Sequence, residues 1–197
     1  MVSKNISLSV NEEIKLFFSN PIYEQKSDYG TLYLLRRDAN YCIDGAAKWA
    51  GAMVILAGID LLGKFYDGDD DYKKASKSFK AYYEKYIDNK NAEIIYQLRN
   101  SLLHSFGVYS KDENNKKIYQ FSLCAANEEL VTYNSQTSYI DKSNKQYQKI
   151  NCLIDLTKLR SKFDESITKY ESDLMTKDDL RTKFHKMFYI YGIKTIS

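Results

Sequence analysis

The sequence predicts an α+β fold that is mainly α: a helical bundle with a small antiparallel β appendage between its fourth helix and its C-terminal helices. Three observations predict it. Only one Pro and eight Gly stand among 197 residues, which favours long helices over a many-turned β sandwich. Apolar residues recur at three- and four-residue spacing along most of the chain. Between residues 108 and 154 that periodicity lapses, and β-branched and aromatic runs appear between Asn, Ser and Gln clusters. The length suits one domain over 1–197, with the bundle at 9–107 and 155–192 and the appendage at 108–154.

Taken in order, Ser9 and Glu12 have capping-box spacing ahead of Ile14, Leu16, Phe17 and Phe18, so a short first helix is expected to stop at Asn20-Pro21. Residues 23–38 are open, since Leu32 to Leu35 read equally as a strand or as the lead-in to a helix. The longest helix is expected over 40–66. Its Gly45, Ala46, Ala47, Ala50, Gly51, Ala52, Ala57 and Gly58 would let another backbone come close, making it central or a subunit contact. Asp60, in its apolar part, must find a partner or face a cleft; a hydrogen bond or a solvent edge is the ordinary outcome.

Asp67, Asp69 and Asp71 alternate like the opening of a calcium loop, but Tyr72 replaces the required Gly and Ser78 the required Glu. These carboxylates therefore read as a helix cap. Residues 72–87 form a helix with Ala75, Phe79, Tyr82, Tyr83 and Tyr86 inward. Lys73, Lys77 and Lys80 line another side, where lysines beside tyrosines suit RNA phosphates and bases, although a solvated helix face is the commoner cause.

The fourth helix, over 94–106, is the stretch that carries chemistry. Ile95, Leu98, Leu102 and Phe106 give it a core-facing stripe. At about 100° per residue, Asn100 and His104 fall one turn apart on the polar side, flanked by Arg99. A cation, an amide and an imidazole on one rigid element are groups that phosphodiester cleavage uses. The ordinary alternative is that Arg99 pairs with an acidic neighbour, Asn100 satisfies backbone and His104 complements the helix C-terminus.

After Gly107, residues 118–124, 129–133 and 149–154 read as two or three short antiparallel strands, with a flexible polar connection over 134–146. Asp155 opens a helix carrying Leu156, Leu159, Phe163, Ile167, Tyr170 and Leu174. Residues 176–179 cap a last one with Leu180, Phe184, Met187, Phe188 and Tyr191, ending at Gly192. His185, beside Lys183 and Lys186, reads as an exposed surface histidine.

A net charge of +3 is too mild to announce a nucleic-acid binder without local clustering. Cys42, Cys124 and Cys152 have no disulfide or zinc spacing and read as reduced, mostly buried residues. No signal-peptide pattern opens the chain, and the apolar run over 49–59 is too short to span a bilayer. A cytoplasmic protein is expected, with no cofactor, no metal site and no membrane contact. High Lys, Asn, Ile and Tyr usage fits an AT-rich bacterial genome.

Arg99-Asn100-Ser101-Leu102-Leu103-His104 resembles the signature of HEPN domains (higher eukaryotes and prokaryotes nucleotide-binding), in which His follows Arg after four to six residues, with Asn, Asp or His favoured after the Arg. The resemblance covers residues 40–107 and more loosely the final helices. It implies a homodimer whose paired motifs meet at the interface, and metal-independent cleavage of RNA by 2′-OH transesterification. By the same resemblance, His104 is the general acid/base, Arg99 the phosphate clamp and Asn100 the orienting residue. Such a protein would be a toxin or phage-defence effector, with a possible antitoxin partner; the alternative is a non-catalytic HEPN-like module binding nucleotide, RNA or protein. One branch of the family has Tyr two residues after the His, where Phe106 stands here, so a nucleotidyltransferase partner that modifies that Tyr is not expected.

Overall fold

Ser9 starts the first helix as its spacing to Glu12 predicts. Its hydroxyl accepts from the Glu12 N–H, and the Glu12 carboxylate accepts from the Ser9 N–H at 2.7 Å. This helix, α1 (Val10–Phe18), buries Ile14, Leu16, Phe17 and Phe18. The computed structural model describes residues 8–19, 28–105 and 107–195. The expected stop at Asn20-Pro21, residues 23–27 and Phe106 lie outside the described residues.

The predicted long helix is two helices. A short strand β1 (Asp28–Gly30) leads into α2 (Thr31–Asp44), and the chain then turns through Gly45–Ala47 into α3 (Lys48–Asp67). Leu32 is therefore helical. The turn is local: the Gly45 N–H donates to the Tyr41 carbonyl, and Ala46 takes the left-handed conformation at φ +66°. Nothing in a run of Gly and Ala announces such a break, because Ala is the best helix former and here accepts a strained φ.

The small residues do make α3 central. A Cβ on Gly63 would lie 2.9 Å from the Ser78 carbonyl oxygen, so α3 touches the backbone of α4 (Ala75–Tyr86) there. A Cβ on Gly58 would lie 2.5 Å from the ring of Phe163 on α6 (Leu156–Thr176). By length and composition α3 is long and apolar enough to cross a bilayer, beyond what the run over 49–59 suggested, yet 56% of that stretch is buried inside the fold. Ile55, Leu56, Ile59, Leu62 and Phe65 have no exposure. Phe17, Phe65 and Phe184 pack as one aromatic cluster, with Phe184 supplied by α7 (Asp178–Tyr191).

Because α2 and α3 are separate, the motif lies on the fifth helix, α5 (Ala92–Ser105), rather than the fourth. Of the aspartates before α4, Asp71 is the cap, accepting from the Lys73 N–H to start a 3₁₀ turn at Tyr72–Lys74, while Gly68 ends α3 in the left-handed region and Asp67 accepts from the Ser78 hydroxyl.

The β region has four strands: β2 (Tyr109–Asp112), β3 (Lys117–Cys124), β4 (Val131–Ile140) and β5 (Gln146–Asp155). Their order is β2-β3-β5-β4, and the β3–β5 pair is parallel, so the sheet is mixed rather than antiparallel. The hairpin joining β4 to β5 folds back so that β5 fits between β3 and β4. Most of the stretch expected as a flexible connection is strand β4. Its turn is held by Asp141, whose carboxylate accepts from the N–H groups of Ser143 and Lys145. Tyr119, Phe121, Ile150, Cys152 and Ile154 belong to the same core as the bundle, so the sheet shares that core. Of the cysteines only Cys152 is buried, and burial pushes its thiol up to about 11.

Asp155, 1% exposed, caps α6 as predicted, accepting from the Lys158 N–H. The last helix ends at Gly192, and a three-residue strand β6 (Ile193–Thr195) pairs antiparallel with β1, a contact too short to leave a sequence pattern. His185 is not simply a surface residue. Its Nδ1 lies 2.7 Å from the carboxylate of Glu13, which is 1% exposed, so it partners a buried acid.

Candidate functional site

The apolar stripe of α5 fixes everything on its other side. Ile95, Leu98 and Leu102 are sealed in the core, which holds the helix in one rotation and turns Asn100 and His104 outward. His104 lies in the final turn and is exposed, while Arg99 and Asn100 are partly buried. Ser101 pins the end of the helix: its hydroxyl donates to the Gly107 carbonyl at 2.5 Å, and the Gly107 N–H donates back to the Ser101 carbonyl.

Arg99 is the hub. Nη1 donates to Asn100 Oδ1 at 3.1 Å and lies 2.9 Å from His104 Nε2. Nη2 donates to Asp60 Oδ2 of α3 at 3.0 Å. The guanidinium lies over the ring of Tyr96, one turn back on α5, at 5.9 Å from its centroid. Its Nε is buried without a hydrogen-bond partner among the described residues. A guanidinium has no acceptor atom, so in this contact His104 Nε2 is the accepting partner. The three motif side chains thus converge.

The two outcomes left open for Asp60 and for Arg99 are met by one contact. The side chains are 19% and 14% exposed respectively, so this ion pair is half-sheltered from water and balances much of the local positive charge. The sequence marked Asp60 as the charge that needed a partner but did not name that partner.

A cleft of about 550 Å³ opens between α5 and the strand β2, with Asn100 and His104 on one wall and Tyr109 to Asn114 on the other. Its floor is a hydrogen-bonded chain: Ser110 Oγ donates to Gln97 Oε1 at 2.6 Å, and Gln97 Nε2 donates to Glu93 at 2.8 Å. Neither Gln97 nor β2 was foreseen as part of a site, because Gln97 reads as one more polar helix position and β2 is only four residues long. Arg99 lines not this cleft but a smaller pocket of about 190 Å³, together with Asp60, Asp69, Asp70 and Asp71. Asp69 is held down to about 2 by its hydrogen bond from Lys74 and by the Asp71 and Asp70 N–H groups. Among the described residues no three His, Cys, Asp or Glu side chains are arranged to hold a metal ion.

The three lysines expected as RNA contacts, Lys73, Lys77 and Lys80, are not among the residues that line the cleft. Lys80 is ion-paired with Glu93 and lies 5.2 Å from the Tyr96 centroid, against the motif helix. Lys73 and Lys77 are exposed and do not line the cleft. Comparison with protein-family models, with curated proteins and with solved structures finds no match.

Proposed function

We propose that this chain is a HEPN-like, metal-independent endoribonuclease that cleaves RNA by 2′-OH transesterification and acts as a bacterial toxin or phage-defence effector in the cytoplasm. The carrying observation is the 2.9 Å approach of Arg99 Nη1 to His104 Nε2, with His104 on the wall of a polar cleft. In this reading His104 Nε2 takes the proton of the attacking 2′-OH. Arg99 turns its Nη1 from the imidazole to a phosphate oxygen and stabilises the charge that builds on the phosphorane. Asn100 holds the guanidinium meanwhile. The leaving 5′ oxygen needs a second proton carrier, and a twin chain across a two-fold axis would bring its own His104.

The experiment incubates the purified chain and His104→Ala with RNA in EDTA. Expected are fragments with 2′,3′-cyclic phosphate and 5′-OH ends from the wild type and none from the variant. Cleavage by the variant, or cleavage that needs a divalent ion, would refute the mechanism.

The Asp60–Arg99 pair favours a second reading. A guanidinium already neutralised by a carboxylate has less to offer a phosphate, as in a non-catalytic HEPN-like module that binds nucleotide, RNA or a protein such as an antitoxin. Equal RNA binding by wild type and His104→Ala, with no strand scission, would identify that module.

A further inference from the structure

Among the cross-strand rows that span all four strands, one consists of a tyrosine and three carboxamides. Tyr109 of β2 stands opposite Gln120 of β3, Gln120 beside Asn151 of β5, and Asn151 opposite Asn134 of β4. Their sequence neighbours Tyr119, Phe121 and Cys152 belong to the core, so alternation puts the row on the opposite, outer face. Tyr109 is 49% exposed, and Gln120 and Asn134 are exposed as well. With strands about 4.8 Å apart, the row runs roughly 14 Å.

Three features set this strip apart from an ordinary solvated sheet face. Gln120, Asn134 and Asn151, with Ser122 and Thr132 of the next row, line a depression of about 350 Å³. In a chain that is 28% charged, its lining contains no charged side chain. Tyr109, at the head of the row, lines the cleft beside His104, and its cross-strand partner Gln120 lines the depression, so cleft and depression adjoin neighbouring strands.

We propose that this row is the track along which a single-stranded RNA leaves the cleft, with Tyr109 stacking one base and the three amides reading the edges of those that follow; this rests on the reading that the cleft takes RNA. Each carboxamide offers one acceptor and two donor hydrogens, the complement of base edges. Unpaired RNA presents those edges, and stacks on aromatic rings, whereas a duplex hides them in pairing and in a groove too deep to read. Without cations the strip suits bases rather than phosphates, which stay on the solvent side. A protein strand added at an edge would instead seek pockets for alternate apolar side chains.

The test compares wild type, Tyr109→Ala and the double variant Asn134→Asp/Asn151→Asp on a dinucleotide and on a longer single-stranded RNA of mixed sequence. The double variant should cleave the dinucleotide as the wild type does, because that substrate fills only the cleft, which Asn134 and Asn151 do not line. On the long strand the double variant and Tyr109→Ala should each lose about tenfold in kcat/KM, and the base preference beside the cut should change. His104→Ala should abolish cleavage of both substrates while keeping its affinity for the long strand, so loss of chemistry and loss of the track are read separately. If the wild type cleaves neither substrate, binding of the labelled long strand by fluorescence anisotropy decides: about tenfold weaker binding by the double variant upholds the track. Equal binding, no wild-type binding, or unchanged kcat/KM and preference overturns it and leaves this face to solvent or to a protein partner.

Discussion

Arg99 of α5 and Asp60 of α3 are joined at 3.0 Å, although 39 positions separate them, and that single contact fixes where the guanidinium meets His104 and Asn100. Removing the carboxylate charge with Asp60→Asn leaves a sheltered cation without its counter-ion. Since both side chains retain some exposure, the expected loss is about 1–2 kcal/mol, between the values for surface and buried pairs. A double-mutant cycle with Arg99→Ala, followed by urea unfolding, should give a coupling of about 1 kcal/mol. Additive losses would mean the pair contributes nothing.

His104 is exposed, so its side chain adds little to the fold. His104→Ala should therefore keep the wild-type Tm within about 1 °C, as surface substitutions do, while RNA cleavage falls by about 10²–10⁴, the usual contribution of a proton-transfer group. A large drop in Tm would point to a structural histidine.

Gly63 offers a test of packing against propensity. In an isolated helix Gly→Ala gains about 1 kcal/mol. Here the added methyl would meet the Ser78 carbonyl at 2.9 Å and the Phe79 nitrogen at 3.0 Å, which are backbone atoms that cannot swing away. Gly63→Ala should be destabilising by about 1–3 kcal/mol, the cost of overpacking. Thermal denaturation showing a gain would mean that α3 and α4 leave room for a methyl group at this contact.

Asp155 should give the fold an acid limb. Burial alone would raise its pKa, but the N–H groups of Lys158, Asn127 and Thr157 outweigh that and hold it below the usual 3.8. A carboxylate depressed in the folded state contributes stability that is complete above its unfolded pKa and disappears as pH falls through the folded one. Asp155→Ala should lose about 1–2 kcal/mol at neutral pH, as for a lost N-cap. Its urea midpoint should also fall less than that of wild type as pH drops below about 4. Parallel pH curves would disprove the assignment.

Tyr170 and Tyr82 should respond oppositely to loss of the hydroxyl. Both are fully buried, but Tyr82 donates to Ser166 Oγ at 3.1 Å while the Tyr170 hydroxyl has no partner among the described residues. Tyr170→Phe should be neutral or stabilising, and Tyr82→Phe should cost about 1 kcal/mol, measured by chemical denaturation.

Ser9, Asp155 and Gly192 ended or began helices where their side chains or lack of one dictated, and the stripes Ile95–Leu98–Leu102 and Leu159–Phe163–Ile167 settled which faces went inward. Those features were legible because caps and periodicity act within one turn of the chain. The spacing of Arg99, Asn100 and His104 was legible for the same reason. The break at Gly45–Ala47 was not, since only the packing of α2 on α3 makes a left-handed Ala46 worth its strain. Nor was the parallel pairing of β3 with β5, the partnership of Asp60 with Arg99, or the alignment of Tyr109, Gln120, Asn151 and Asn134 in one row. The sequence by itself determined the helices, their buried faces and the candidate chemical groups, because local hydrogen bonds and hydrophobic spacing suffice for these. Only the tertiary structure decided which distant groups met, because those contacts depend on how every buried face is satisfied at once.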